Sequence, residues 1–140
     1  MRKAVRKSIR IPEDLVRLVE DLAKMSGRDF TTTANELLNE ALKMRRFPGI
    51  IFADGPAGRR ARIAGTGLEV WEVIAAYRSV DREAARLREA FPWLPEPALP
   101  ATLAYYAAYP DEIDQRIAAS ERWTIEELKV RHPALVSGHE

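Results

Sequence analysis

The sequence predicts a mainly α-helical chain in two parts: a strand followed by two helices, then a small helical domain with a short β-hairpin. Three observations predict it. Residues 5–11 alternate apolar and polar side chains and stop at Pro12. Residues 12–46 hold two stretches with apolar residues at helical spacing, separated by Gly27. Residues 47–67 are rich in glycine and proline and lead into several short helical patterns.

In the strand, Val5, Ile9 and Ile11 fall on one face and Arg6, Ser8 and Arg10 on the other. Lys7 interrupts the apolar face. Pro12 removes a ladder donor and suits the first position of a helix. Glu13 and Asp14 then put negative charge where the helix dipole favours it. The first helix is expected over residues 12–25, with Leu15, Leu18, Val19 and Leu22 on one stripe and Gly27 as its C-terminal cap. The second starts in the run Thr31, Thr32, Thr33, where Thr33 and Glu36 have capping-box spacing. Its stripe is Ala34, Leu37, Leu38, Ala41 and Leu42, and Pro48 ends it near Arg46.

So short a stretch buries little apolar surface by itself. Two copies solve this if their strands pair into an antiparallel ribbon and four helices close one core. Such a ribbon fits the major groove of DNA, where each base pair shows its own donor and acceptor pattern.

The runs Lys7-Ser8-Ile9-Arg10-Ile11-Pro12-Glu13-Asp14-Leu15, Gly27-Arg28 and Asn35-Glu36-Leu37-Leu38-Asn39-Glu40-Ala41-Leu42 resemble the ribbon-helix-helix repressors. The chain departs from the shortest members by a longer turn after Gly27. The resemblance implies a homodimer, able to join into larger complexes, on double-stranded operator DNA. It implies that Arg6, Ser8 and Arg10 read bases and that Thr31, Thr32 and Thr33 meet phosphates. Arginine can donate two parallel hydrogen bonds to guanine, and a helix N-terminus with hydroxyls suits a phosphate. Arg2 and Lys3 would add charge contacts without sequence preference.

Residues 47–120 read as the second domain. Residues 50–52 and 59–63 make a hairpin around Asp54-Gly55-Pro56-Ala57-Gly58. Gly65-Thr66-Gly67 is a turn and not a phosphate loop, since no Gly-Lys-Thr pattern flanks it. Helices follow around Val70 to Tyr77, over 81–90, over 97–109 and from Pro110 through Ile117. A hairpin with such helices looks like a small winged or helix-turn-helix-like fold. The run from Phe52 to Glu72, with Phe91-Pro92-Trp93-Leu94 and Ala104-Tyr105-Tyr106-Ala107, resembles a helical domain of a family of unknown function. That family recurs in VapB-type antitoxins, encoded beside toxins with a PIN-like nuclease fold. The helix over 97–109 has no lysine or arginine, so it is poorly equipped for DNA. Dimerisation or partner docking suits this domain better, with Arg59, Arg60 and Arg62 as candidates for auxiliary DNA contact. The aromatic set Trp71, Trp93, Tyr105, Tyr106 and Tyr109 reads as core ahead of a ligand site.

Composition narrows the function. The chain has 140 residues, 46% hydrophobic and 31% charged, which suits folded domains over disorder. It has no cysteine and two histidines, His132 and His139, which leaves no thiol nucleophile, no cysteine-based zinc site and little for a histidine centre. No acid–base constellation points to an enzyme, and Glu13-Asp14 and Asp111-Glu112 sit at helix starts where the dipole explains them. No cofactor or metal is expected. No apolar run approaches membrane-spanning length and the basic N-terminus lacks a signal-peptide core, so a soluble, cytoplasmic protein is expected.

Charge is unevenly placed. Residues 1–46 carry 11 Lys/Arg against 7 Asp/Glu, and residues 110–140 carry 4 against 7. The basic head suits an anionic polymer and the acidic tail a basic surface. Residues 121–140 form a C-terminal segment in which Trp123, Ile125 and Leu128 give a short apolar face that docks on a partner or covers this protein's own core. Arg122, Trp123 and Arg131 are candidate toxin contacts, because arginine pairs well with clustered carboxylates. The expectation is an antitoxin that represses its own operon and neutralises a PIN-like nuclease. The alternative is a stand-alone ribbon-helix-helix repressor without a toxin.

Overall fold

The structure is a computed structural model that describes residues 2–56 and 58–121. Its elements in order are α1 (Glu13–Ser26), α2 (Phe30–Arg46), β1 (Ile50–Gly55), β2 (Gly58–Ile63), α3 (Val70–Ser79), α4 (Ala84–Ala90), α5 (Ala98–Ala108) and α6 (Pro110–Glu121). The chain divides into two compact units between Leu42 and Lys43, so the last turn of α2 belongs to the second.

The expected N-terminal strand is not there. Residues 2–12 hold no regular secondary structure, and the sheet among the described residues is the β1–β2 hairpin in the middle of the chain. The fold is mainly helical with a central hairpin, which corrects the ribbon-helix-helix assignment. The physical reason is the balance at those residues. Val5 and Ile9 stay 71% and 73% exposed, so extension buries almost nothing to offset its entropy cost. Lys7 also spoils the apolar face, and Pro12 deprives the segment of a donor.

α1 forms where its leucines recur at helical spacing, behind the acids Glu13 and Asp14. It ends because Gly27 takes a left-handed conformation, φ 67°. The Gly27 amide then donates to Lys24 O at 3.3 Å and the Arg28 amide to Ala23 O at 3.0 Å, the paired bonds of a Schellman cap. α2 is capped by Asp29, not by a threonine. Asp29 Oδ1 accepts from the Thr32 amide at 2.7 Å. Glu36, expected in a capping box, pairs with Arg28 instead.

Among the described residues of the first unit, Ala23 is the one buried apolar side chain. Leu15, Leu18, Leu22, Leu37, Leu38 and Leu42 are all exposed, Leu18 at 63% and Leu38 at 57%. The two helices thus present their apolar stripes to solvent.

The second unit has its own core. β1 and β2 pair antiparallel from Ile50↔Ile63 to Gly55↔Gly58. Ile50, Ala61 and Ile63 point inward, and α3, α5 and α6 close over them with Val70, Val73, Ile74, Leu99, Tyr105, Ile113 and Ile117. Leu87 brings α4 to the same core. Burying such side chains stabilises by about 1.5–3 kcal/mol each, so this unit stands on apolar packing. At Gly65-Thr66-Gly67 the chain turns, with both glycines at positive φ and Thr66 Oγ1 donating to Ile63 O at 2.8 Å.

Candidate functional site

Among the described residues, positive charge is least compensated in the N-terminal arm. Residues 2–11 contain Arg2, Lys3, Arg6, Lys7 and Arg10 and no acid. All five side chains, with Ser8, are exposed. Among the described residues none of the five forms an ion pair. Arg2 alone has a side-chain partner, the neutral Asn39 Oδ1 at 3.4 Å. An exposed cation cluster without counterions is the electrostatic footprint of polyanion binding. Because the arm is not a strand, alternation no longer separates Arg6, Ser8 and Arg10 from Lys7.

The threonines at the start of α2 are differently placed from one another. Thr33 is buried, and its hydroxyl donates to Asp29 O at 2.8 Å. The Thr32 amide, and after it the Thr32 hydroxyl, hold the Asp29 carboxyl below its ordinary pKa. Thr31 and Thr32 are exposed. The N-terminus of α2 therefore already holds a carboxylate, in the position that a DNA phosphate would take. The residue that sequence reasoning missed is Asp29, although an aspartate just ahead of a helix is a strong cap signal.

The hairpin arginines are engaged within their own unit. Arg59 pairs with Asp54 at 3.5 Å and Arg60 with Glu69 at 3.6 Å. Arg62 Nη2 donates to Asp54 O at 3.5 Å. Glu69 also accepts from the Trp71 indole at 2.9 Å. α5 contributes Ala98, Leu99, Thr102 and Tyr105 to the buried interior and leaves Pro100, Ala104, Ala107 and Ala108 exposed, so one face of it is core. Of the aromatic set, Tyr105 is fully buried and Trp93 is 56% exposed, stacked edge-on against Phe91 at 5.8 Å. Arg122, Trp123 and Arg131 lie outside the described residues.

Two further groups carried no local sequence signal. Lys43 is buried among aromatic rings, with Nζ 4.2 Å from the Tyr109 ring centre and 3.8 Å from Glu112 Oε1. On the outer side of α3, α5 and α6, Arg78 donates to Asp114 Oδ1 at 2.8 Å and to the Tyr106 hydroxyl, which itself donates to Asp114 at 2.7 Å. The Tyr106 hydroxyl and then the Arg78 guanidinium hold the Asp114 carboxyl below its ordinary range. The same hydrogen bond to Asp114 pushes the Tyr106 phenol up.

No family model, no curated protein and no solved structure matches the chain. Among the described residues no helix is long and apolar enough to cross a membrane.

Proposed function

We propose that the chain is the antitoxin of a type II toxin–antitoxin pair, which binds its own operator DNA through the N-terminal arm and neutralises a PIN-like nuclease. The observation that carries the DNA-binding part is the arm itself: five exposed cations, no acid and no ion pair among the described residues. Phosphate neutralisation by such residues supplies most sequence-independent affinity, and arginine and serine can add contacts to base edges.

The exposed leucine stripes of α1 and α2 support self-association. An apolar surface of this kind on a unit with almost no interior of its own marks a protein interface, and a homodimer would present two arms to one operator. The toxin half of the reading rests on the sequence resemblance across residues 47–120. The second unit supports docking over DNA reading, because α5 carries no lysine or arginine and buries one face in the core, and Arg59, Arg60 and Arg62 have partners within the unit.

The test measures binding to the chain's own upstream DNA against a scrambled fragment, and inhibition of a small nuclease encoded beside it. Preference for the upstream DNA and a stable, inactive complex with the nuclease are expected. Preference without any such complex would leave a stand-alone repressor. No binding to either fragment would remove the DNA-binding part.

A further inference from the structure

A cleft of about 140 Å³ opens in the second unit between the hairpin and α6, lined by Phe52, Arg59, Arg60, Trp71, Glu112 and Arg116 among others. Three of these are arginines. Arg59 and Arg60 each have a carboxylate neighbour, Asp54 and Glu69, at 3.5 and 3.6 Å. Glu112 is matched elsewhere: Oε1 faces Lys43 at 3.8 Å and Oε2 accepts from the Tyr105 hydroxyl at 2.6 Å. Arg116 differs from the others. It is half-buried and forms no ion pair among the described residues. Burial, and then the like charge of Arg60, hold its pKa below the ordinary arginine value, against the opposite pull of the Glu69 and Glu112 carboxylates. A guanidinium partly out of water, with two carboxylates near but neither within ion-pair distance, gains from an anion that reaches it directly.

We propose that this cleft receives a carboxylate side chain from an acidic segment of a partner protein, with Arg116 as the anchoring cation. Size, wall chemistry and access choose this occupant. The volume is well under the roughly 300–1,000 Å³ of small-molecule sites, so it suits a single side chain. Phe52, Trp71, Ala61 and Ile113 supply apolar walls for the methylene stem of a glutamate, while the guanidinium offers the planar fork that matches a carboxylate. A duplex phosphate is held by the sugar chain on both sides and needs an open trough, whereas a side chain enters on one stem. The site is independent of the arm and stands whether or not the arm binds DNA.

The test is a titration of the full chain, followed by NMR at the arginine Nε–Hε and tryptophan indole groups. The probes are a capped peptide of alternating Glu and Gly, its Gln counterpart, and inorganic phosphate. The Glu peptide is expected to shift the Arg116 and Trp71 signals saturably, and the Gln peptide to leave them in place. Arg116→Gln should weaken the Glu peptide about tenfold, as loss of a charged hydrogen-bond pair does, and Arg116→Lys by less. If Arg116→Gln fails to fold, the Glu-against-Gln comparison on the unchanged chain still decides. Equal response to the Gln peptide, tighter binding of phosphate, or no response to the Glu peptide would each overturn the proposal.

Discussion

The Lys43 ammonium lies 4.2 Å from the centre of the Tyr109 ring. Tyr105 and Phe52 stand at 5.6 and 5.7 Å from the same nitrogen, so three rings surround one buried charge at the end of α2. The ring faces and the Glu112 carboxylate offset the cost of removing the ammonium from water. Lys43→Ala should therefore destabilise the second unit by about 2 kcal/mol, through lost stem packing and the lost cation–π contacts. Lys43→Met keeps the stem and should cost less. Denaturant unfolding followed by tyrosine fluorescence would check the order. A loss below the error of the method in both variants would mean that the cage contributes nothing.

The Arg78–Tyr106–Asp114 network ties stability to pH. The Asp114 carboxyl is held below its ordinary range when folded, by Tyr106 first and Arg78 second. Its contribution is thus complete above the ordinary carboxylate pKa near 4 and is lost as pH falls through the lower folded value. Asp114→Asn should flatten that part of the acid-unfolding profile. At the alkaline end the sign reverses. The Tyr106 phenol is raised, so its contribution is present below its ordinary pKa and fades as pH climbs through the folded value. Tyr106→Phe should flatten both ends, as melting temperatures from pH 2 to 11 would register.

Asp29 has two roles that one pair of variants separates. As a cap it satisfies the Thr32 amide, and as a charge it repels phosphate from the start of α2. Asp29→Asn keeps an acceptor and removes the charge, so it should leave the melting temperature nearly unchanged and strengthen DNA binding severalfold at low salt. Asp29→Ala should lower the melting temperature. Weaker DNA binding by Asp29→Asn would mean that the carboxylate assists the complex.

The exposed leucines predict concentration-dependent association. Leu18→Glu and Leu38→Glu each put a charge into an apolar stripe, and each should convert the protein to monomer in sedimentation at micromolar concentration. In a chain that stays monomeric these exposed sites would tolerate the change within about 0.5 kcal/mol. A wild-type chain that sediments as a monomer throughout would contradict the interface.

The helices were legible because periodicity is a local property. α1, α2 and α3 form where their apolar residues recur, and Gly27 and Pro48 mark ends that the chain respects, whereas α5 forms as expected but buries Ala98, Leu99, Thr102 and Tyr105 in place of the expected stripe Leu99, Leu103 and Tyr106. The hairpin was legible from its apolar run and turn residues, and pairs as Ile50↔Ile63. The strand at residues 5–11 was not, because alternation shows only that a segment could have two faces, while a ladder needs a partner and a gain in burial. α4 starts later than its pattern because Asp81 and Arg82 take positive φ, 54° and 59°, a conformation that sequence reading does not assign to arginine. The Lys43 cage and the Arg116 cleft join residues from distant parts of the chain. Lys43 and the Tyr105 hydroxyl it approaches at 3.4 Å are 62 positions apart, and no spacing rule reaches that far.

The most direct test of the central claim is the salt dependence of binding to the upstream DNA, compared between the unchanged chain and Arg6→Ala/Arg10→Ala. If the arm holds phosphates, the slope of log K against log salt should be steep and negative. It should shrink by about 0.9 for each phosphate contact removed, with preference over scrambled DNA reduced as well. An unchanged slope and an unchanged preference in the double variant would show that the arm does not hold the DNA.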